Sequence, residues 1–216
     1  YTYKFTDCDG NTHDWVYTYT IDKLDFTMPA NESSTVSCVS EVVAPTVPVV
    51  TDACGNTLTA STAVVSTMPT CEGIVTYTYT FTDCSGISHA WVYTYTIEDT
   101  IAPTGTAPSD LVLECLSEIP VASAEDIADA IDNCSGNVVI TISDVNNGGT
   151  GCFGSPYIVN RTYTLTDCAG NVTDLLQTIT VEDTTAPTFV ESLPVNETVE
   201  CNVVPSAVSL TAIDNC

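Results

Sequence analysis

Three copies of one 21-residue segment lie along this chain of 216 residues, and this repetition is the strongest constraint on its fold. The segment 1–21, YTYKFTDCDGNTHDWVYTYTI, returns at 77–97 as YTYTFTDCSGISHAWVYTYTI and, in a weaker form, at 161–181. The copies lie about 80 residues apart, which is the length of a small domain. The sequence therefore predicts an array of similar modules and not one large domain.

A short joint sequence follows two of the copies and marks the module boundaries. It reads EDTIAPT at 98–104 and EDTTAPT at 182–188, and each joint leads into a run that ends in cysteine. The first copy is followed by DKLDFTMP, so its joint has diverged. These marks predict the end of one module, two whole modules and the start of another, at 1–23, 24–100, 101–184 and 185–216.

Alternation along the repeated segment predicts two antiparallel strands with one buried face. In the second copy, aromatic residues recur at every other position on both sides of the TDCSG turn, with threonine or valine between them. This pattern is typical of half-buried strands. The run 137–145 predicts a further strand, and only 123–131 has a helical pattern, with Ser123 as N-cap of a short helical turn. Short strands between frequent turns predict an all-β fold of small β-sandwiches.

Eleven cysteines and no CxxC pair favour disulfides formed in an oxidising compartment over a metal cluster. If successive strands run up and down, the first and third cysteines of a module meet at one end, and the second and fourth at the other. Four cysteines allow three pairings, and strand direction favours one without proving it. We expect Cys8, Cys201 and Cys216 to pair outside these 216 residues. The expected pairs are Cys38–Cys71, Cys54–Cys84, Cys115–Cys152 and Cys134–Cys168.

A net charge of −25 excludes two classes of partner. Lys4, Lys23 and Arg161 are the only lysines and arginines. A surface this acidic repels phosphate backbones and anionic lipid headgroups, so we expect no nucleic-acid binding. No apolar run approaches the ~18 residues of a membrane span, so we expect no membrane insertion.

The joint, the VEC run, the DNCSGN turn and the TDCAGN hairpin together resemble hyalin-repeat (HYR-like) modules. The resemblance covers essentially the whole chain, is most specific over 98–188, and departs around 22–29, where the Thr-Ala-Pro joint is missing. HYR-like modules are immunoglobulin-like domains strung in tandem in large secreted bacterial surface proteins. The resemblance implies tandem, disulfide-stapled immunoglobulin-like β-sandwich domains with an adhesive or structural role, extracellular or at the cell surface. It supplies no catalytic residue.

Carboxylates are concentrated in turns and joints, where two roles are open. In the TDC and DNC turns, we expect the aspartates to accept hydrogen bonds from turn amides. At the joints, Glu98, Asp99, Glu182 and Asp183 are candidates for holding Ca²⁺, because this ion prefers oxygen ligands. No other cofactor is indicated, and the EF-hand pattern is missing.

The 36 threonines suggest covalent glycans as partners of the array. Thr100 and Thr184 stand in the sequences DTI and DTT, a short signal that some secreting bacteria use for O-glycosylation. For any single site, strand-forming threonines that face water are the competing explanation. Sequons for N-glycosylation occur at Asn31, Asn133, Asn160, Asn171 and Asn196.

No constellation of residues predicts catalysis. His13 and His89 share a repeat position that the third copy fills with Thr173, so we expect a surface position on the hairpin and not a general base. No nucleophile elbow or phosphate-binding loop is present. The protein is therefore not expected to be an enzyme.

Together these patterns favour a glycosylated structural repeat of an extracellular fibre, cell-surface filament or stalk, in which modules associate with neighbouring repeats. The alternative is an adhesin whose end loops recognise glycans or a partner cell, with calcium dependence. A more remote alternative is ice binding by Thr-x-Thr rows. It requires flat arrays, which twisted hairpins supply poorly.

Overall fold

The computed structural model describes residues 1–20, 22–134 and 136–216, and these are folded almost entirely as β-structure and loops. They form two compact units, Tyr1–Ile97 and Glu98–Cys216. Within the described ranges, the helical elements are 3-10 turns at Val39–Glu41, Leu116–Glu118 and Ala124–Ile127. The strands are β1 (Thr2–Thr6), β2 (Thr12–Val16), β3 (Glu32–Val36), β4 (Val50–Thr51), β5 (Thr57–Leu58), β6 (Val64–Val65), β7 (Gly73–Thr82), β8 (Ser88–Ile97), β9 (Leu111–Leu113), β10 (Val139–Asn146), β11 (Tyr157–Thr166), β12 (Val172–Val181), β13 (Thr188–Phe189) and β14 (Ala212–Ile213). The predicted all-β fold is confirmed.

The first unit is built on a four-stranded sheet with the strand order β3-β8-β7-β6. Strands β7 and β8 are the second copy of the repeated segment, and they pair antiparallel from Gly73 opposite Ile97 to Thr82 opposite Ser88. Strand β3 adds to β8 in parallel, so the start of the module lies beside its last strand. The hairpins β1–β2 and β4–β5 complete the described sheets of this unit.

The second unit repeats this arrangement around the hairpin β11–β12, the third copy of the segment. Its sheet has the order β10-β11-β12-β9, and β9 lies parallel to β12 as β3 lies to β8. Strands β13 and β14 form a separate two-stranded antiparallel pair. The equivalent topology of the two sheets is the structural counterpart of the sequence repeat.

The aromatic face of the hairpin β7–β8 forms the core of the first unit. Trp91 and Phe81 are almost completely buried. The indole Nε1 of Trp91 donates a hydrogen bond to the carbonyl of Ala30 at 2.9 Å, so its one polar atom is satisfied inside the core. The alternation predicted from sequence therefore separates core from surface. The other buried residues of this cluster are Phe26, Val50, Val75, Tyr77, Tyr79, Tyr95 and Ile97.

The first copy of the segment forms the same kind of hairpin in a different environment. The rings of Tyr3 and Trp15 contact each other with centroids 5.4 Å apart, yet 49% and 53% of these residues' surfaces are exposed. Their repeat equivalents, Tyr79 and Trp91, are buried. The alternating sequence thus directs the same strand pairing in both places.

The predicted short helical turn is confirmed as the 3-10 turn Ala124–Ile127. The hydroxyl of Ser123 accepts a hydrogen bond from the amide of Glu125 at 3.2 Å, and Asp126 accepts one from the Ser123 amide at 3.0 Å. Ile127 is buried beneath the turn. The further strand predicted over 137–145 is β10, Val139–Asn146.

Arg161 is buried in the second unit, with only 3% of its surface exposed. Its Nε and Nη2 donate to the two carboxylate oxygens of Asp144, both at 2.9 Å, and Nη2 also donates to the carbonyl of Pro120 at 3.1 Å. The hydrogen bonds from Arg161 lower the pKa of Asp144. A buried cation is tolerated when it is paired and hydrogen-bonded in this way.

Replacing Asp144 with Asn removes the charge that faces Arg161 and keeps one acceptor. We expect the free energy of unfolding near pH 7 to fall by about 1–2 kcal/mol, less than for a fully buried pair because the Asp144 side chain is 42% exposed. A carboxyl whose pKa is lowered by folding stabilises the fold above its unfolded pKa near ~4, and this contribution is lost as the pH falls through the folded value. The difference between wild type and Asp144→Asn, measured by urea unfolding, should therefore vanish towards about pH 2.

The exposed carboxylate Glu125 provides a control in the same unit. Glu125→Gln should change the free energy of unfolding by less than about 0.5 kcal/mol. A deficit in Asp144→Asn that stays constant down to low pH would contradict the role of the charge.

Candidate functional site

An aspartate at the start of each TDC turn holds the turn closed through backbone hydrogen bonds. Asp83 Oδ1 accepts from the amides of Ser85 at 2.9 Å and Ile87 at 2.8 Å. Asp167 accepts from the amide of Asn171 at 2.8 Å and from its Nδ2 at 2.9 Å. Burial raises the pKa of Asp167, but the hydrogen bonds from Asn171 and the neighbouring turn amides together outweigh this effect, so the pKa is lowered. The predicted role of these aspartates as acceptors for turn amides is confirmed.

At the joint between the repeats, Asp99 is buried next to the DNC turn of the second unit. Its carboxylate lies within 4.8 Å of ligand atoms of Asp132 and Cys134. Asn133 Nδ2 donates to Asp99 Oδ1 at 3.3 Å, and Asn171 Nδ2 donates to the Asp99 carbonyl at 3.0 Å. The joint residue is therefore anchored to both cysteine turns of the module that follows it.

The same grouping recurs one repeat later. Asp183, Asp214 and Cys216 have ligand atoms within 4.8 Å of one another. Asp214 Oδ1 also accepts from the Cys216 amide at 3.2 Å, as expected for a DNC turn. These three residues hold the repeat positions of Asp99, Asp132 and Cys134.

The diverged first joint has a cation in place of the joint aspartate. Lys23 occupies the repeat position of Asp99. Its Nζ donates to the carbonyl of Ser85 at 3.0 Å, and its side chain lines a cavity together with Asp52 and Asp83. The first unit thus has the ammonium group of Lys23 next to its acidic turns. At the same position the second unit has the carboxylate of Asp99.

These acidic groups supply fewer oxygen ligands than calcium takes. Two of the four predicted candidates, Asp99 and Asp183, belong to the groups just described. Glu182 instead accepts from the amide of Gly154 at 2.7 Å, and Glu98 is exposed. Calcium takes about six to eight oxygen ligands, whereas each group offers two carboxylates and the sulfur of a disulfide-bonded cysteine. The groups do not by themselves fit a calcium site, and calcium binding stays a prediction.

The partner predicted for Cys115 is wrong in this structure. Cys115 is bonded to Cys216, and the thiol of Cys152 is free and exposed. All three cysteines line one cavity, so the strand-direction argument correctly brought Cys115 and Cys152 to the same place. It failed because it considered only cysteines within one module, whereas the chain beyond the next joint returns Cys216 to this cavity. The expectation that Cys216 pairs outside these residues is corrected by the same bond.

The predicted disulfide Cys54–Cys84 is also not formed, and both residues are exposed thiols. They line one cavity with Asp52 and Asp83, so the two turns do meet as predicted. Each cysteine lies in the turn of a hairpin, β4–β5 or β7–β8, and the two turns are neighbours without their sulfurs being bonded.

Within the described residues, the remaining six cysteines are of two kinds, bonded and free. Four of them are in disulfides, as the predicted pairs Cys38–Cys71 and Cys134–Cys168 require, and these pairings stay predictions. Cys8 and Cys201 are exposed thiols within the described residues, and their pairing elsewhere also stays a prediction.

A family model described as an HYR-like domain with four cysteines matches residues 26–97 and 103–181. The chain belongs to this HYR-like family. Each matched stretch contains four cysteines and lies inside one of the predicted modules, 24–100 and 101–184. The outer pieces, 1–23 and 185–216, stay predictions. A search of curated proteins found no match.

Membership of the HYR-like family and the bonded cysteines together indicate an extracellular protein. None of the helical segments in the described part of the chain has the length and apolar character needed to cross a bilayer.

The predicted glycosylation sites of the HYR-like modules differ in the hydrogen bonds that their side chains make within the protein. Thr184 Oγ1 donates to Glu114 at 2.8 Å, and Asn31 Oδ1 accepts from the amide of Val92 at 2.9 Å. Asn171 is engaged at the joint and the TDC turn, as described above. Thr184 and Asn31 are nevertheless exposed, as is Asn133, whose side chain is also hydrogen-bonded. The other exposed candidates are Thr100, Asn160 and Asn196.

Sequence reasoning did not find two side-chain pairs of the HYR-like modules. His89 Nε2 lies 2.7 Å from Asp25 Oδ1, and this contact lowers the pKa of Asp25. Arg161 pairs with Asp144. Both pairs join residues that are distant in sequence, so neither spacing nor a local motif signals them.

The Asp167 carboxylate is expected to be a main determinant of stability in the second HYR-like module. Asp167→Ala leaves the partly buried amides of the TDC turn without their acceptor, and the free energy of unfolding should fall by about 1–2 kcal/mol. Asp167→Asn keeps one acceptor oxygen and should lose less. Urea unfolding followed by far-UV circular dichroism measures both variants. If Asp167→Ala is as stable as wild type, the turn does not depend on this side chain.

Proposed function

We propose that this chain is a structural segment of an extracellular fibre or cell-surface stalk. The observation that carries the proposal is that two HYR-like modules with equivalent four-stranded sheets follow one another in the sequence. The HYR-like family of immunoglobulin-like domains is in general non-enzymatic, which supports a structural role. In such an array, each module associates mainly with its neighbouring repeats.

The physical support for mechanical endurance is the number of cross-links relative to the size of the modules. Cysteines in both modules are disulfide-bonded. One disulfide raises the free energy of unfolding by about 2–4 kcal/mol, largely by restricting the unfolded chain. A small domain has a net stability of only about 5–15 kcal/mol. Cross-links of this kind therefore contribute a large share of what keeps each module folded.

Acidity is a second property suited to an exposed array. The net charge of −25 is spread along the chain, and like charges keep neighbouring arrays hydrated and apart. Lys23 and Arg161 have partners within their own units, the Ser85 carbonyl and Asp144 respectively.

Removal of Cys134 and Cys168 should make the second module sensitive to proteolysis. In Cys134→Ala/Cys168→Ala, the loss of the covalent constraint should lower the free energy of unfolding by about 2–5 kcal/mol. The measurement is the rate of cleavage by a broad-specificity protease, for the variant and for wild type with and without a reducing agent. Cys8→Ala removes an exposed thiol and serves as the control. Unchanged protease resistance after full reduction would show that the bonds do not maintain the array.

A covalent glycan coat is part of this proposal, and the structure ranks its sites. Attachment is expected at Thr100, Asn160 and Asn196, because a transferase requires a side chain that protrudes into solvent. Thr184 and Asn171 should remain unmodified, since their side chains are hydrogen-bonded in the folded protein. Mass spectrometry of intact glycopeptides from the native source measures occupancy at each position. Glycans confined to the two hydrogen-bonded positions would overturn this ranking.

An adhesin is the second candidate, because HYR-like modules are adhesive as well as structural repeats. A glycan array probed with the chain, with and without calcium, separates the two functions. Glycan binding that calcium strengthens would favour the adhesin.

A further inference from the structure

Cys152 and the Cys115–Cys216 disulfide share one cavity of about 330 Å³ in the second unit. Cys152 is an exposed thiol, whereas Cys115 is buried. Disulfides break and re-form when a thiolate attacks one of their sulfur atoms. The cavity therefore contains both reactants of a thiol–disulfide exchange.

Backbone hydrogen bonds hold the walls of this cavity together. The amide of Asp183 donates to the carbonyl of Gly151 at 2.8 Å, which ties the joint to the loop of Cys152. The amide of Glu182 donates to the carbonyl of Leu113 at 3.0 Å, which ties the same joint to the end of β9. Strand β9 ends two residues before Cys115. The same hydrogen-bond network therefore supports both the Cys152 thiol and the Cys115–Cys216 disulfide.

Comparison of the two modules shows that Cys115 has two chemically suitable partners. Cys38 and Cys71 hold the repeat positions of Cys115 and Cys152, and both are disulfide-bonded in the first unit. In the second unit, Cys115 is bonded to Cys216 of the following repeat, and Cys152 is free. Cys115 therefore has a bonded partner in Cys216 and a free one in Cys152, the residue at the position that is bonded in the first unit.

We propose that Cys115 exchanges its disulfide partner between Cys216 and Cys152. The Cys152 thiolate attacks Sγ of Cys115, a Cys115–Cys152 bond forms, and the Cys115–Cys216 bond breaks. Cys216 leaves as a thiolate and takes up the proton that Cys152 lost. One disulfide and one thiol are present before and after, so the step consumes no oxidant or reductant.

Asn215 is a positioning residue for this exchange. Its Nδ2 lies 3.2 Å from Sγ of Cys216 and donates a hydrogen bond to the sulfur that departs. Hydrogen-bond donors stabilise the charge that a thiolate carries, so the contact favours release of Cys216.

The exchange changes which parts of the chain are covalently joined. With the Cys115–Cys216 bond, the residues after the second joint are cross-linked to the module 101–184. With the Cys115–Cys152 bond, this module is closed on itself and the following residues are released. The site therefore switches a joint between a cross-linked and an open form. This inference needs only three cysteines of this chain, so it can fail or succeed independently of the proposed fibre.

The test is disulfide mapping of the full chain by protease digestion and mass spectrometry without reduction. Wild type and variants are first folded in a buffer of oxidised and reduced glutathione, in which oxidised glutathione is the oxidant that forms the disulfides. The chain is then incubated at mildly alkaline pH with a trace of reduced glutathione as initiator, and samples are quenched by alkylation over time. Wild type should relax to a mixture of Cys115–Cys216 and Cys115–Cys152 peptides. Cys152→Ser should contain only the first and Cys216→Ser only the second. Asn215→Ala should approach its final ratio severalfold more slowly.

Cys201→Ser is the matched control, because it removes an exposed thiol that does not line the cavity. Its peptide ratio and relaxation rate should equal those of wild type. In every variant, Cys134 and Cys168 should resist alkylation, which verifies that the module is folded. The proposal is overturned if wild type keeps Cys152 fully alkylatable throughout, or if folded Cys216→Ser leaves both Cys115 and Cys152 as thiols.

Discussion

Burial of one face of a ten-residue β-hairpin is the interaction on which both units depend. In β7–β8 and in β11–β12, every second side chain points to the core, and the strands pair in register over their full length. The first strand of each module then adds in parallel to the last. The joint before a module therefore lies at the turn of its hairpin, beside the aspartate and cysteine, and the joint after it follows the open end. The positions of the acidic turns, the joints and the cysteines all follow from this one element.

The carboxylates at the joints and turns stabilise the fold by accepting hydrogen bonds from backbone and side-chain N–H groups. The carboxylates of Asp83 and Asp167 each accept hydrogen bonds from several N–H groups of their turn, which would otherwise donate to water. Asp99 extends this network to the joint, through Asn133 and Asn171. A chain with few cations can keep many acidic residues folded in this way, because backbone and amide N–H donors stabilise their charge in place of salt bridges.

Much of this arrangement is readable in the local sequence. Alternation predicted the buried face of β7–β8, including Trp91 and Phe81, since period-two burial is a property of the strand itself. Ser123 and the TDC aspartates were predicted because caps and turns involve residues only a few positions apart. His89–Asp25, Arg161–Asp144 and the Cys115–Cys216 bond were not predicted. Each joins residues separated by at least 17 positions, and their approach depends on how the strands assemble.

The amino-acid sequence alone determined the repeat, the strand pattern and the turns, because each rests on interactions between residues close along the chain. It also determined that cysteines from different strands would meet. Only the tertiary structure decided which of the meeting sulfurs are bonded and which aromatic faces are covered. Trp91, for example, donates to the carbonyl of Ala30, 61 residues earlier in the chain, because burial depends on the distant segment that packs against the strand. The same holds for Cys115, whose partner is the cysteine that the folded chain brings within bonding distance.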